Sequence, residues 1–229
     1  MTTAPTTPAA DPVRLTVDYP EGPRDRLNVL LRVLLVIPIL VVLVTLSGGF
    51  QSGDGVVTSE DRSAQDRDGW RTESRGTAGG LAGGIVALPT VLMLVFRRKY
   101  PRWWFDWNRE FSRFGARVGA YLLLLRDEYP STDEEQAVHL EIDYPDAARL
   151  NRWLPLVKWL LAVPHYIAIV LLGIGVALVT LVAWFVILFT GRYPRGLFDF
   201  VVGVLAWGNR VSGYAFLLVT DQYPPFSLE

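Results

Sequence analysis

The chain contains no cysteine and only two histidines, His139 and His165. The first absence excludes disulfides, thiolate nucleophiles and zinc–thiolate sites, and it removes cysteine usage as an index of redox compartment. The second leaves little imidazole for general-base or metal chemistry. Gly-x-x-x-x-Gly-Lys-[Ser/Thr], Gly-x-Ser-x-Gly and His-Glu-x-x-His are also missing, so nucleotide, acyl-transfer and metallohydrolase chemistries lack their usual parts. The sequence therefore predicts no enzyme, no cofactor and no metal site. With 22 basic and 23 acidic residues, there is no polycationic surface of the kind nucleic acid requires. Residues 1–12 have neither a basic segment nor an apolar core, and read as a short disordered tail rather than a cleaved signal peptide.

Long apolar runs are what the chain has instead. Hydrophobic residues make up 51% of it and the mean hydropathy is +0.27, which argues against a water-soluble globule. From Leu27 to Leu46 the sole charge is Arg32; Gly79 to Phe96 carries none; Trp153 to Thr190 holds only Lys158 and His165. Each run is long enough to cross a hydrocarbon layer of about 30 Å. None contains Asp or Glu, which argues against a proton-coupled carrier, because such relays need titratable groups in the membrane.

The chain also repeats itself. "VRLTVDYP" from Val13 matches "VHLEIDYP" from Val138, and "RLNVLLRVLLVIPIL" from Arg26 matches "RWLPLVKWLLAVPHY" from Arg152. Arg32 thus falls on Lys158, Pro38 on Pro164 and Ile39 on His165. "RKYPRWWFDW" from Arg98 matches "GRYPRGLFDF" from Gly191; Arg117 and Tyr121 then fall on Arg210 and Tyr214, and Asp127-Glu-Tyr-Pro on Asp221-Gln-Tyr-Pro. Two tandem units, 13–132 and 133–229, result, the first carrying an insertion at 47–78 where the second has only "GIG".

The expected architecture is an all-α membrane protein. Four transmembrane helices at 27–46, 79–96, 153–172 and 174–190 form two tandem hairpins, the second turning at Gly173 and Gly175, with surface helices at 103–125 and 197–219 and short strands before each hairpin. Near the span ends, Arg24, Arg26, Arg97, Arg98, Lys99, Arg149, Arg152, Arg192 and Arg195 fall on the side of the termini and only Arg75 on the other. The positive-inside rule then places both termini in the cytoplasm of a bacterial cell and the glycine-rich loop 47–78 outside.

Tyr-Pro recurs at Tyr19, Tyr100, Tyr129, Tyr144, Tyr193 and Tyr223. Proline moves the preceding residue out of helical backbone, and tyrosine favours the headgroup zone. Each pair is read as an interfacial corner, with recognition by the tyrosines as the alternative. In the first surface helix Trp104, Trp107, Phe111, Phe114, Val118 and Tyr121 share one face, opposite Asp106, Arg109, Glu110, Arg113 and Arg117. The second keeps the stripe as Leu197, Phe200, Val204, Trp207, Val211 and Tyr214, yet carries Val202, Gly203 and Ala206 in place of three charged residues. That lost wet face predicts a cover. Arg117 and Arg210 survive in both units and need partners, for which Asp127 and Asp221 are the candidates. Arg32 and Lys158 are shallow enough to snorkel, and with Arg109 and Arg113 they are candidate contacts to anionic lipid headgroups. Pro38 and Pro164 are expected to kink their helices at mid-membrane.

"TGRYPRGLFDF", "GNRVSGYAFLL" and "TDQYPPFSL" resemble a bacterial integral-membrane family known as the domain of unknown function 4389. The Tyr-Pro-Pro-Phe end is its most specific mark, and the first unit departs from it with Tyr129-Pro130-Ser131-Thr132. The resemblance implies a membrane protein and supplies no activity. The expected role is a non-enzymatic accessory or scaffold protein with a membrane-protein partner or a second copy; a lipid-binding or lipid-moving protein is the alternative, and a small uncoupled channel the distant third.

Overall fold

The structure of the protein, a computed structural model, describes residues 11–46, 89–132 and 134–228. The predicted loop 47–78, most of the predicted span 79–96 and residues 1–10 of the tail lie outside the described residues. The fold is mostly helical. Strand β1 (Val13–Val17) precedes α1 (Arg26–Leu46); α2 (Arg102–Leu122), strand β2 (Val138–Ile142), α3 (Val163–Thr190) and α4 (Arg195–Ser212) follow.

The two strands pair as their alternation suggests. β1 and β2 run antiparallel with Leu15 opposite Leu140, Val13 opposite Ile142 and Val17 opposite Val138, so the ladder is centred on two residues that the sequence equates. Val13, Leu15, Val138, Leu140 and Ile142 point inward and are buried, and α2 and α4 pack on this small sheet. Arg14 bridges Glu141 and Asp143 at 3.2 and 3.0 Å on the outer face.

The second predicted hairpin is not formed. Val163–Thr190 is one continuous helix of 28 residues, about 42 Å long at 1.5 Å per residue, and Gly173 and Gly175 lie inside it. Glycine in a helix costs stability but does not break it. Gly175 faces the Phe200 ring of α4, where a Cβ would make an ordinary contact at 3.6 Å, so it sits within the helix rather than at a turn. The chain breaks earlier, at Ala162, between the short helix Lys158–Leu161 and α3. Pro164 therefore opens α3 instead of kinking it, the first turn being where proline lacks nothing that a helix needs. Four transmembrane helices are not supported: among the described residues α3 alone is long and apolar enough to cross a membrane, and α1 reaches that length only as Arg26–Arg32 and Leu34–Leu43 meeting at 55°. This bend falls one turn before Pro38, whose ring crowds the carbonyl four residues back. With a single helix between them, Arg152 and Arg192 flank opposite ends of α3, and the charge count no longer places them on one side.

Helices α2 and α4 begin alike, after Pro101 and Pro194 in extended backbone. Both run into left-handed residues, Leu124 and Leu218. In α2 the aromatic stripe divides. Phe114, Val118 and Tyr121 pack on Val36 and Ile39 of α1, whereas Trp104 stacks on Trp107, and Trp107 on Phe111, along the outside. The face of α4 that lost its charges is covered by the chain itself, since a Cβ on Gly203 would stand 2.7 Å from the Leu228 carbonyl oxygen.

Candidate functional site

Two clusters of buried charge organise the ends of α1 and α3. Arg32, 2% exposed, lies 2.5 Å from Asp127 Oδ1 and donates to the Tyr121 carbonyl at 2.9 Å. Its guanidinium carbon stands 4.4 Å from the centre of the Tyr121 ring, and that ring meets Tyr129 edge-on at 5.8 Å. Lys158 is fully buried. Its Nζ lies 2.7 Å from Asp221 Oδ1, donates to the Thr220 carbonyl at 2.7 Å and stands 5.2 Å from the centre of the Tyr214 ring; Tyr214 in turn meets Tyr223 edge-on at 5.8 Å. The other carboxylate oxygens accept from backbone amides, Asp25 to Asp127 at 3.4 Å and Asn151 to Asp221 at 2.6 Å. Arg32, Asp127, Tyr121 and Tyr129 occupy positions that the sequence equates with Lys158, Asp221, Tyr214 and Tyr223.

Cation, carboxylate and ring in each cluster compensate for removing the charge from water. An ammonium or guanidinium buried alone is costly, and a partner at hydrogen-bond distance restores part of the loss. Burial still dominates at Lys158, pushing its ammonium below the usual lysine range against the opposing pull of Asp221. Arg24 completes the first cluster at 3.2 Å from Asp127 and donates to the carbonyls of Leu124 and Leu125. Its guanidinium is likewise lowered, first by burial and then by Arg32 and Arg126 against the pull of Asp127. Sequence reasoning counted Arg24 only as a flanking positive charge.

Arg32 and Lys158 are thus not headgroup contacts: both are enclosed and paired within the chain. Asp127 and Asp221 are not the partners of Arg117 and Arg210 either. Arg117 donates to the Ser131 carbonyl at 2.8 Å, and Arg210 to the Ser227 carbonyl at 2.6 Å while it pairs with Asp11 at 3.2 Å. Asp11, just before β1, carried no signal in the sequence. Arg109 pairs with Asp106 and Glu110, and Arg113 with Glu110, so the two surface candidates are engaged by carboxylates of their own helix.

The Tyr-Pro corners bind one another. Tyr19 donates to the Tyr193 carbonyl and Tyr144 to the Tyr100 carbonyl. Tyr19 meets Phe198 edge-on at 5.0 Å and Tyr144 meets Phe105 at 5.0 Å, while Arg195 covers the Tyr19 ring and Arg102 the Tyr144 ring. Tyr100 and Tyr193 are buried in the core rather than exposed as interfacial anchors, and burial pushes both phenols up to about 12. Tyr129, Tyr144 and Tyr223 remain partly exposed. His165 is enclosed by rings, Phe226 at 4.0 Å, Tyr223 at 4.7 Å and Trp207 at 5.4 Å.

Chemically the arrangement fastens corners to one another. Among the described residues no three His, Asp or Glu side chains group closely enough to hold a metal ion. An open cleft of about 620 Å³ is lined by Arg98, Lys99, Tyr100, Tyr144 and Asp146. No curated protein and no solved structure is significantly similar to this chain. Residues 153–227, which hold α3, α4, Lys158 and Asp221, match the family described as "Domain of unknown function (DUF4389)".

Proposed function

We propose that the protein is a non-enzymatic integral protein of the bacterial plasma membrane that serves as an accessory or scaffold component of a membrane complex, with α3 as a membrane-crossing element. The observation that carries this reading is the outward apolar surface of α3. Ile167, Val170, Leu171, Ile174, Leu178, Leu181 and Phe189 are exposed along its length, Phe189 by 80%, and only 11% of the most apolar window is buried inside the protein. A soluble protein does not present a patch of this extent to water, whereas lipid or a membrane partner covers it at no cost. The charged groups at the ends of α1 and α3 are engaged inside the fold, which favours a rigid holder over a site that turns over a substrate.

A lipid-binding role is the second reading, and the cleft carrying Arg98 and Lys99 beside Tyr144 is what favours it. Extraction of the native protein into nanodiscs without detergent, followed by mass spectrometry of protein and lipid, separates the two. A stoichiometric protein partner supports the scaffold reading. One enriched class of anionic lipid with no partner replaces it with the lipid reading.

A further inference from the structure

The two halves of the chain finish their Tyr-Pro corners differently. In the second, the chain continues from Tyr223 through Pro224 and Pro225 and lays the Phe226 ring 4.0 Å from His165, with Tyr223 and Trp207 on the other sides. In the first, the positions that the sequence equates with Phe226, His165 and Trp207 are Thr132, Ile39 and Phe114. One ring has become a threonine, another an isoleucine, and the indole a phenyl. At this place the structure has an open cleft of about 530 Å³, lined by Pro38, Ile39, Phe114, Tyr129, Thr132 and Glu134 among others. Its floor is apolar, since Ile39 and Phe114 are each about 5% exposed. Its rim is polar, with Thr132 and Glu134 beside the half-exposed Tyr129 ring.

We propose that this cleft is a docking site for an extended proline–aromatic segment of a partner protein, whose ring enters beside Ile39 and Phe114 as the Phe226 ring lies beside His165 and Trp207. This rests on the scaffold reading and names the surface used. Three observations select the occupant. The chain itself shows what the place accepts, because the Phe226 ring closes the corresponding place in the second half at the end of Tyr223-Pro-Pro, where the first half ends Tyr129-Pro-Ser with Thr132. Proline ahead of the aromatic keeps such a segment extended in the free state, which lowers the entropy lost on docking. The rim offers Glu134 and the Thr132 hydroxyl, which suit a peptide and have no counterpart in an acyl chain.

The test uses full-length protein in nanodiscs and a fluorescent peptide Tyr-Pro-Pro-Phe-Ser-Leu, the sequence of residues 223–228, followed by fluorescence anisotropy. Saturable binding is expected. Thr132→Phe, which rebuilds the missing ring from within, is expected to weaken it by about tenfold or more, as is replacing the peptide's Phe by Ala, a factor equal to about 1.4 kcal/mol. Val42→Trp, on the exposed edge of the cleft, provides a second block should Thr132→Phe fold poorly. Equal binding to empty nanodiscs, no saturation, or saturable binding that both substitutions leave unchanged overturns the proposal. So does loss of retained phospholipid in Thr132→Phe without any peptide binding, which would make the cleft a lipid site. A stoichiometric partner together with a peptide that does not bind removes the cleft assignment alone, whereas an absent partner removes the scaffold reading.

Discussion

Replacing Asp221 with Asn tests whether the buried pair at the start of α3 holds the C-terminal corner. Lys158 is fully buried and its Nζ is 2.7 Å from the carboxylate; in the variant the ammonium keeps the Thr220 carbonyl and the face of Tyr214 but loses its counter-charge. Breaking one side of a buried pair costs about 3–5 kcal/mol, which for a chain of this size lowers the unfolding midpoint by roughly 6–20 °C. The double variant Lys158→Met/Asp221→Leu removes both charges and leaves apolar groups of similar volume, so its stability is expected within about 1 kcal/mol of the parent or above it. Asp127→Asn strips the counter-charge from both Arg24 and Arg32 and is expected to cost at least as much as Asp221→Asn. The assay is thermal unfolding in nanodiscs, with denaturant titration for the free energies. The pH dependence adds a signature. Lys158 is lowered in the folded state by burial, so between that lowered value and the ordinary lysine value of about 10.4 the unfolded chain holds a proton that the folded chain has released. Stability contributed by this residue therefore rises with pH in that window, and the rise is absent in Lys158→Met. If Asp221→Asn unfolds within about 1 kcal/mol of the parent, or if the double variant falls as far as the single, the reasoning is refuted.

Three further outcomes are expected. Tyr19→Phe and Tyr144→Phe each remove one hydrogen bond between corners and lower stability by about 0.5–1.5 kcal/mol in the same unfolding assay. Gly203→Ala drives a Cβ against the Leu228 carbonyl; the overpacking costs about 1–3 kcal/mol, and hydrogen exchange over residues 220–228 accelerates while exchange in α1 is unchanged. Tyr100 and Tyr193, raised to about 12 in the folded protein, stay protonated where an unfolded tyrosine ionises at about 10. The stability they contribute is complete below about pH 10 and is lost as pH rises toward 12, so phenolate absorbance for these two is expected to appear only together with unfolding.

The sequence alone reached much of this protein because its strongest signals are local or periodic. Alternation in "VRLTV" and "VHLEI" located both strands, the surface helices expected at 103–125 and 197–219 are α2 and α4, and the family resemblance fell on the second unit, 133–229, of which residues 153–227 match the family. It singled out Asp127 and Asp221 as partners for buried cations but assigned them to Arg117 and Arg210, and it read Arg32 and Lys158, the cations they do meet, as headgroup contacts. Which carboxylate met which cation was beyond it: Arg117 and Arg210 found the carbonyls of Ser131 and Ser227 after their own corners, and Arg210 also found Asp11, which the strand pairing brings from the other end of the chain. The glycines of "GIG" read as a turn because the insertion 47–78 of the first unit aligns there, whereas the chain runs through them as one helix, Val163–Thr190. Burial of Tyr100 and Tyr193, cover of Gly203 by the chain's own end, and the open cleft beside Thr132 were decided by tertiary structure, since each depends on segments far apart in sequence meeting at one point.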